Sequence, residues 1–115
     1  MYVKKRSEID KITLAADTIK NVEKQMLIGA EQGWDSHVMR MFTLGPDGYS
    51  PKHSHSWDHM VYIVKGKGII FIDGIDYSVS GDSVAFIAGG KEHQFKQKGK
   101  DELVFMCIVP TEGDV

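Results

Sequence analysis

Three of the five histidines of this chain, His53, His55 and His59, fall within the nine residues 51–59, and a fourth, His93, follows Gly89, Gly90, Lys91 and Glu92. Neutral imidazole nitrogens bind divalent first-row metals at about 2.0–2.2 Å. If the segment enters a strand, His53 and His55 point to one face, because successive side chains alternate, and His59 lies a short turn further on. A single HxH pair is more often two surface or satisfied core histidines. Three so close together are another matter, since imidazolium ions at this spacing repel one another and a bound cation keeps them neutral. An affinity tag would share the composition but not the mid-chain position. His93 is the candidate for a fourth ligand.

Strands must position these groups. Residues 21–28 alternate as a strand and stop at Gly29; residues 36–44 form a longer one, ended by the turn chemistry of Gly45, Pro46, Asp47 and Gly48. Residues 60–64, 69–72, 75–79, 83–87, 93–98 and 102–109 follow as short strands, with Asp73 and Gly74 giving a two-residue hairpin turn and Pro110 closing the sheet region. Residues 7–20 read as an extended arm with a possible turn of helix, and residues 111–115 as a polar tail. Regular short strands with glycine-rich turns and almost no helical period mean an all-β sandwich or barrel.

Over 36–44, alternation places Val38, Arg40, Phe42 and Leu44 on one face and His37, Met39, Met41 and Thr43 on the other. If the Arg40 face is interior, its guanidinium must be paired or line a polar cavity; the alternative is an edge position with the head in water. Cys107 alternates with Phe105 on the last strand, and either fills the core as a small hydrophobe or turns its thiol toward a metal pocket. Phe42, Trp57 and Phe105 are candidates for the cavity wall, with plain core packing as the alternative. Asp58 reads as solvated, or as a group orienting the His59 ring. His37 falls outside the cluster.

The chain is 115 residues long with a net charge of −2, enough for one core and one domain. Lysines and arginines are interleaved with acids, which argues against a nucleic-acid footprint. No apolar run approaches a membrane span or a signal-peptide core, and the single cysteine allows no intrachain disulfide, so a cytoplasmic protein is the expectation.

The run Gly48, Tyr49, Ser50, Pro51, Lys52, His53, Ser54, His55, then His59, then Gly66, resembles the first cupin motif, and Gly81, Asp82, then Ala88, Gly89, Gly90 and His93 resemble the second. The likeness covers about 40–109. His59 stands where that motif usually has glutamate; Ala88 replaces a proline, with one extra residue before it; and the first glycine is one residue closer to HxH. The resemblance implies a double-stranded β-helix (jelly-roll) barrel over 21–110, with residues 1–20 as an N-terminal arm. It also implies one divalent metal on His53, His55, His59 and His93, as in small stand-alone cupins with four histidines, some of which carry manganese. Four neutral ligands leave the ion its full charge and two adjacent positions for an oxygen-bearing ligand; Mn or Fe leads, with Ni, Cu and Zn open. The expectation is an oxygenase-type enzyme acting on a small molecule, with Arg40 and Cys107 as catalytic candidates. The alternatives are a non-catalytic metal-dependent binding or sensing module, and a metal-dependent isomerase or lyase. A homodimer formed by exchange of the N-terminal arm is the expected assembly.

Overall fold

The computed structural model describes residues 1–114. Nine strands form in chain order: β1 (Ile12–Ala16), β2 (Ile19–Ile28), β3 (His37–Tyr49), β4 (His59–Lys65), β5 (Lys67–Ile72), β6 (Ile75–Ser80), β7 (Val84–Ile87), β8 (His93–Lys98) and β9 (Leu103–Pro110). The only helical elements among the described residues are three-residue 3-10 turns. The strands are hydrogen-bonded antiparallel in the order β6-β5-β8-β3-β9-β4-β7, with β2 along β3 and β1 along β2, and curl into a jelly-roll barrel.

Period-two patterning explains most of this. On β4, His59, Val61 and Ile63 are buried while Met60, Tyr62 and Val64 are exposed; on β8, His93, Phe95 and Gln97 point in. Asp73 and Gly74, both at positive φ, make the tight β5–β6 turn. Leu44, Ile63, Ile70, Leu103, Phe105 and Val109 fill the interior, and Phe95 stacks on Phe105 at 4.2 Å between centroids.

Three expectations change. Gly45, Pro46, Asp47 and Gly48 do not end the strand. β3 runs through them, with Lys20 opposite Tyr49 and Val22 opposite Leu44, so residues 45–48 bulge against Asn21 alone. Asn21 adopts a left-handed conformation (φ 54°) and donates from Nδ2 to the Pro46 carbonyl at 3.1 Å. Glycine suits this place because a Cβ on Gly45 would overlap the Asn21 amide. The bulge lets one strand serve both layers: β3 pairs with β9 along residues 37–44 and meets β8 only at Tyr49.

The second change is in the arm. Its residues 12–20 are a β-hairpin built onto the sheet rather than a loose extension, with Leu14 and Ile19 packed against the core. Third, residues 111–114 of the expected polar tail fold back. Thr111–Gly113 is a 3-10 turn, Gly113 is buried against the Trp57 indole, and Asp114 pairs with Lys24 at 2.6 Å. Among the described residues, no helix is long and apolar enough to cross a membrane.

Candidate metal centre

Backbone pairing brings the two histidine segments together. His53 and His93 exchange both main-chain hydrogen bonds, N to O at 3.1 and 2.8 Å, as an isolated antiparallel bridge. The Gly90 amide donates to the His55 carbonyl at 2.6 Å, and the Gly89 amide to Asp58 Oδ1 at 2.8 Å. Asp58 is exposed, as expected of a solvated acid, yet its carboxylate ties the HxH loop to the Gly89–Gly90 turn. His59 opens β4 opposite Ile87 on β7.

Ring centroids of His53 and His55 lie 4.1 Å apart, and each is 5.1 Å from that of His93. Each of these three residues offers a ligand atom within 4.8 Å of the other two. Nitrogens at about 2.1 Å from one ion lie about 3.0–3.6 Å apart where they are not opposite one another, so the three rings converge on a shared ion with shifts of up to about an ångström. His59 stands beside this trio, 4.7 Å from His93 and 5.0 Å from His55 between centroids, but it is not part of the close set.

The donor chemistry fits a cation. His93 Nδ1 lies 3.0 Å from the Lys91 carbonyl, which can only accept, so the proton sits on Nδ1 and the Nε2 lone pair is free. Nε2 of His93 and Nε2 of His59 are both buried and without a hydrogen-bond partner, in side chains only 2 % and 5 % exposed. Buried imidazole nitrogens with no partner are costly unless something fills them. Burial, then the neighbouring rings of His55 and His93, hold His53 down to about 4. Burial, then His93, His55, Arg40 and His53, hold His59 down to about 3. His55 and His93 are lowered too, chiefly by burial. All four are neutral at pH 7, the form that ligates metal.

The rings open into a cavity of about 120 Å³, walled by Phe42, Phe95, Phe105 and Leu44 and by Leu14, Ile19 and Val22 of the N-terminal hairpin. Arg40 is interior, 5 % exposed, and lines this space. Its Nη1 lies 3.7 Å from Asp114 Oδ1, its Nη2 donates to Cys107 Sγ at 3.5 Å, its guanidinium rests 5.0 Å over the Phe42 ring, and its buried Nε–H has no acceptor. Cys107 also lines the cavity, with Sγ 3.3 Å from His59 Nδ1; burial pushes the thiol up, with Arg40 acting the other way.

Trp57 is a correction: it is not among the cavity-lining residues but stacks on His55, centroids 4.6 Å apart and nearly parallel, holding that ring in place. His37 lies away from the site, stacked on Trp34. The sequence reading missed Leu14, Ile19, Gly113 and Asp114. Leu14 and Ile19 carried an apolar signal, but nothing local says that the chain termini return to the site.

Gly89 makes one prediction here. A Cβ at this position would overlap the Ser56 carbonyl oxygen, which is backbone and cannot swing aside. Gly89→Ala is expected to destabilise the fold by about 1–3 kcal/mol and to weaken metal binding by loosening the HxH loop. Urea unfolding and a metal titration check it; a variant as stable as the parent would show that this close approach is unimportant.

Residues 40–109 match the family described as Cupin domain. Over 76 residues the chain is 33 % identical to the 1-methylthio-D-xylulose 5-phosphate methylsulfurylase of Rhodospirillum rubrum; the match takes in 66 % of this chain and 49 % of that protein, so the chain spans about half the length of this relative. Among solved structures, the polyketide cyclase RemF from Streptomyces resistomycificus superposes with a TM-score of 0.89 at 24 % identity, over 96 % of this chain and 79 % of that one, a likeness of fold. A cupin-2 domain from Rhodospirillum rubrum superposes with a TM-score of 0.85 at 25 % identity, over 99 % and 77 %.

Proposed function

The chain belongs to the cupin family, and from that premise we propose that it is a metal-dependent enzyme of oxygenase type, acting on a small oxygen-bearing and preferably anionic molecule. The observation that carries this reading is the pair of buried, unpartnered Nε2 atoms of His59 and His93 beside the close trio His53, His55 and His93. His53, His55 and His93 would hold the ion, with His59 as the fourth ligand; manganese or iron is the preferred metal. Such an ion supplies Lewis-acid polarisation of a ligand oxygen and, when redox-active, electron exchange.

The chain's own groups do the rest. His93 is held in one tautomer by the Lys91 carbonyl, and His55 is held in place by Trp57, so the rings need little reorganisation to ligate. Arg40 presents a cation whose Nε–H is unused, suited to a carboxylate or enolate oxygen. Phe42, Phe95 and Phe105 exclude water, which strengthens that attraction. The 120 Å³ volume limits what is fully enclosed to a handful of heavy atoms. No Asp or Glu is among the lining residues, so proton transfer would fall to a histidine, Cys107 or solvent, and this weighs against an isomerase built on a carboxylate base.

A metal-dependent isomerase or lyase is the second reading, and a phosphorylated keto sugar is the substrate class suggested by the name of the Rhodospirillum rubrum relative, 1-methylthio-D-xylulose 5-phosphate methylsulfurylase. Reconstitution with Fe, Mn or Zn while following oxygen uptake with small enols or catechols separates the two. Turnover that needs Fe or Mn and consumes oxygen supports the proposal; equal turnover with Zn removes the oxygenase reading; none with any metal points to a binding or sensing module. In the same protein, Arg40→Gln is expected to weaken binding of a small dicarboxylate such as oxalate by about 10-fold to 100-fold, with Arg40→Lys in between. Unchanged oxalate affinity in Arg40→Gln would remove Arg40 from the binding site.

A further inference from the structure

Two cations point into the mouth of the barrel and share one carboxylate. Lys24 lies between Val22 and Met26 on β2, both packed into the core, and is opposite Phe42 of the cavity wall, so its side chain is on the inner face. Arg40 is on the same face of β3, two residues from Phe42. The two side chains are only 14 % and 6 % exposed, and among the described residues the one acid that reaches either is Asp114. Its Oδ1 lies 2.6 Å from Lys24 Nζ but 3.7 Å from Arg40 Nη1, and the Arg40 Nε–H has no acceptor. One unit of positive charge is left over where water is largely excluded. Burying an uncompensated cation is costly, and a guanidinium held by one distant oxygen has not used its fork.

Asp114 reaches these cations on a lightly tethered turn. The 3-10 turn Thr111–Gly113 is tied to the chain at its start, where the Thr111 amide donates to the Ser36 carbonyl and its hydroxyl to that of Asp35. Beyond Thr111 the main-chain bond among the described residues is Asp114 N to the Thr111 carbonyl at 3.2 Å, inside the turn itself. Lys24 and the contact of Gly113 with Trp57 therefore hold the far end down. Gly113 lines the cavity, and Trp57 stacks on His55. The turn covers one side of the 120 Å³ space, and lifting it enlarges the cavity without breaking a strand pair, because β9 ends at Pro110.

We propose that Lys24 and Arg40 form an oxyanion subsite for the carboxylate or phosphate of the ligand, and that the Asp114 carboxylate occupies it until that group takes its place. The inference rests on the reading of Arg40 as an anion-binding group, not on the reaction at the metal. Asp114 keeps two inward cations from facing each other unpaired. An acid group from solution has two or three oxygens to divide between Lys24 Nζ and the Arg40 fork, including the unused Nε–H, whereas Asp114 places one oxygen between them. Exchange also admits ligands larger than the closed cavity, with the acid group at the mouth and an oxygen toward the histidines. Lys24, which does not line the closed cavity, then selects substrates by charge.

Calorimetric titration of the full chain with inorganic phosphate and, separately, with malonate tests it. Asp114→Asn is expected to bind the preferred anion about five-fold tighter than the parent, because the competing carboxylate is gone, and Lys24→Gln about ten-fold more weakly. Whichever anion responds identifies the acid group as phosphate or carboxylate. No detectable binding of either anion overturns the proposal, as does unchanged or weaker binding by Asp114→Asn, the sign expected of a carboxylate that only braces the fold. Parent-like binding by Lys24→Gln overturns it too. If Arg40→Gln still weakens oxalate binding, either of these results removes the subsite alone and leaves Arg40 as an anion-binding group. Should Asp114→Asn fail to fold, the emission of Trp57 decides, read in Trp34→Phe, where it is the only tryptophan. Saturating anion is expected to shift that emission to longer wavelength as residues 111–114 lift from the indole, and binding with no shift overturns the exchange.

Discussion

His93→Ala is expected to lower affinity for Mn, Fe or Zn by at least about 100-fold, exceeding what loss of a group that merely supports a ligand costs. The substitution should leave the fold in place. The bonds that join residue 93 to His53, and that seat it in β8 opposite Ile72, are main-chain bonds that alanine also makes. What disappears is the free Nε2 lone pair, held toward its acceptor role by the Nδ1 contact to the Lys91 carbonyl. The measurement is the rise in melting temperature on adding metal. With free metal 1,000-fold above its dissociation constant, the parent gains about 4 kcal/mol, and a variant that binds 100-fold more weakly should gain no more than about 1.4 kcal/mol at the same concentration. His37→Ala, which removes a histidine stacked on Trp34 outside the site, should behave as the parent. His59→Ala then distinguishes three ligands from four: a loss comparable with His93→Ala supports the four-histidine reading, and a loss below ten-fold makes the trio His53, His55 and His93 the whole donor set. Parent-like metal binding by His93→Ala would remove the metal centre altogether.

The metal-free protein is expected to melt roughly 10 °C or more lower at pH 5 than at pH 7.5. His53 titrates at about 4 and His59 at about 3 in the folded chain, both lowered by burial first and by neighbouring positive groups second. In the unfolded chain both return to about 6.5. Between pH 6.5 and about 4 the unfolded state therefore binds more protons than the folded state, so stability is complete above 6.5 and is lost as the pH falls through that window. At pH 5 the buried His59 costs about 2 kcal/mol, and the half-exposed His53 costs less because solvent screens its surroundings. Metal binding runs the same way, because protons compete for the ligand nitrogens. Melting curves in chelator from pH 4.5 to 8, on the parent and on His53→Gln with His59→Gln, test the point. The double variant should show a much flatter profile; a parent profile as flat as that of the variant would mean that the buried rings are not held neutral.

Much of the barrel was legible because its strands obey a period of two, and alternation is a local property. β4, β5, β6, β7, β8 and β9 fall within two residues of where side-chain alternation and turn chemistry put them. The errors lie where a long-range constraint overrides a local signal. Gly45, Pro46, Asp47 and Gly48 have turn chemistry, yet the chain absorbs them as a bulge because β3 must reach both layers. Residues 12–20 looked irregular because Leu14 and Ile19 face the cavity while Ile12 stays exposed, so no clean alternation survives in sequence.

By itself the sequence determined the all-β class, the histidine types and the spacing that puts His53 and His55 on one side of an extended segment, since side-chain direction follows from backbone geometry over a few residues. Only the tertiary structure decided that His93 bridges to His53, that Arg40 turns inward to meet Cys107 and Asp114, that Trp57 supports His55 rather than walling the cavity, and that Leu14 and Gly113 from opposite ends of the chain close it. Those contacts join residues tens of positions apart. They are selected by which strands pair and which apolar faces must be covered, a balance summed over the whole sheet that no stretch of residues encodes alone.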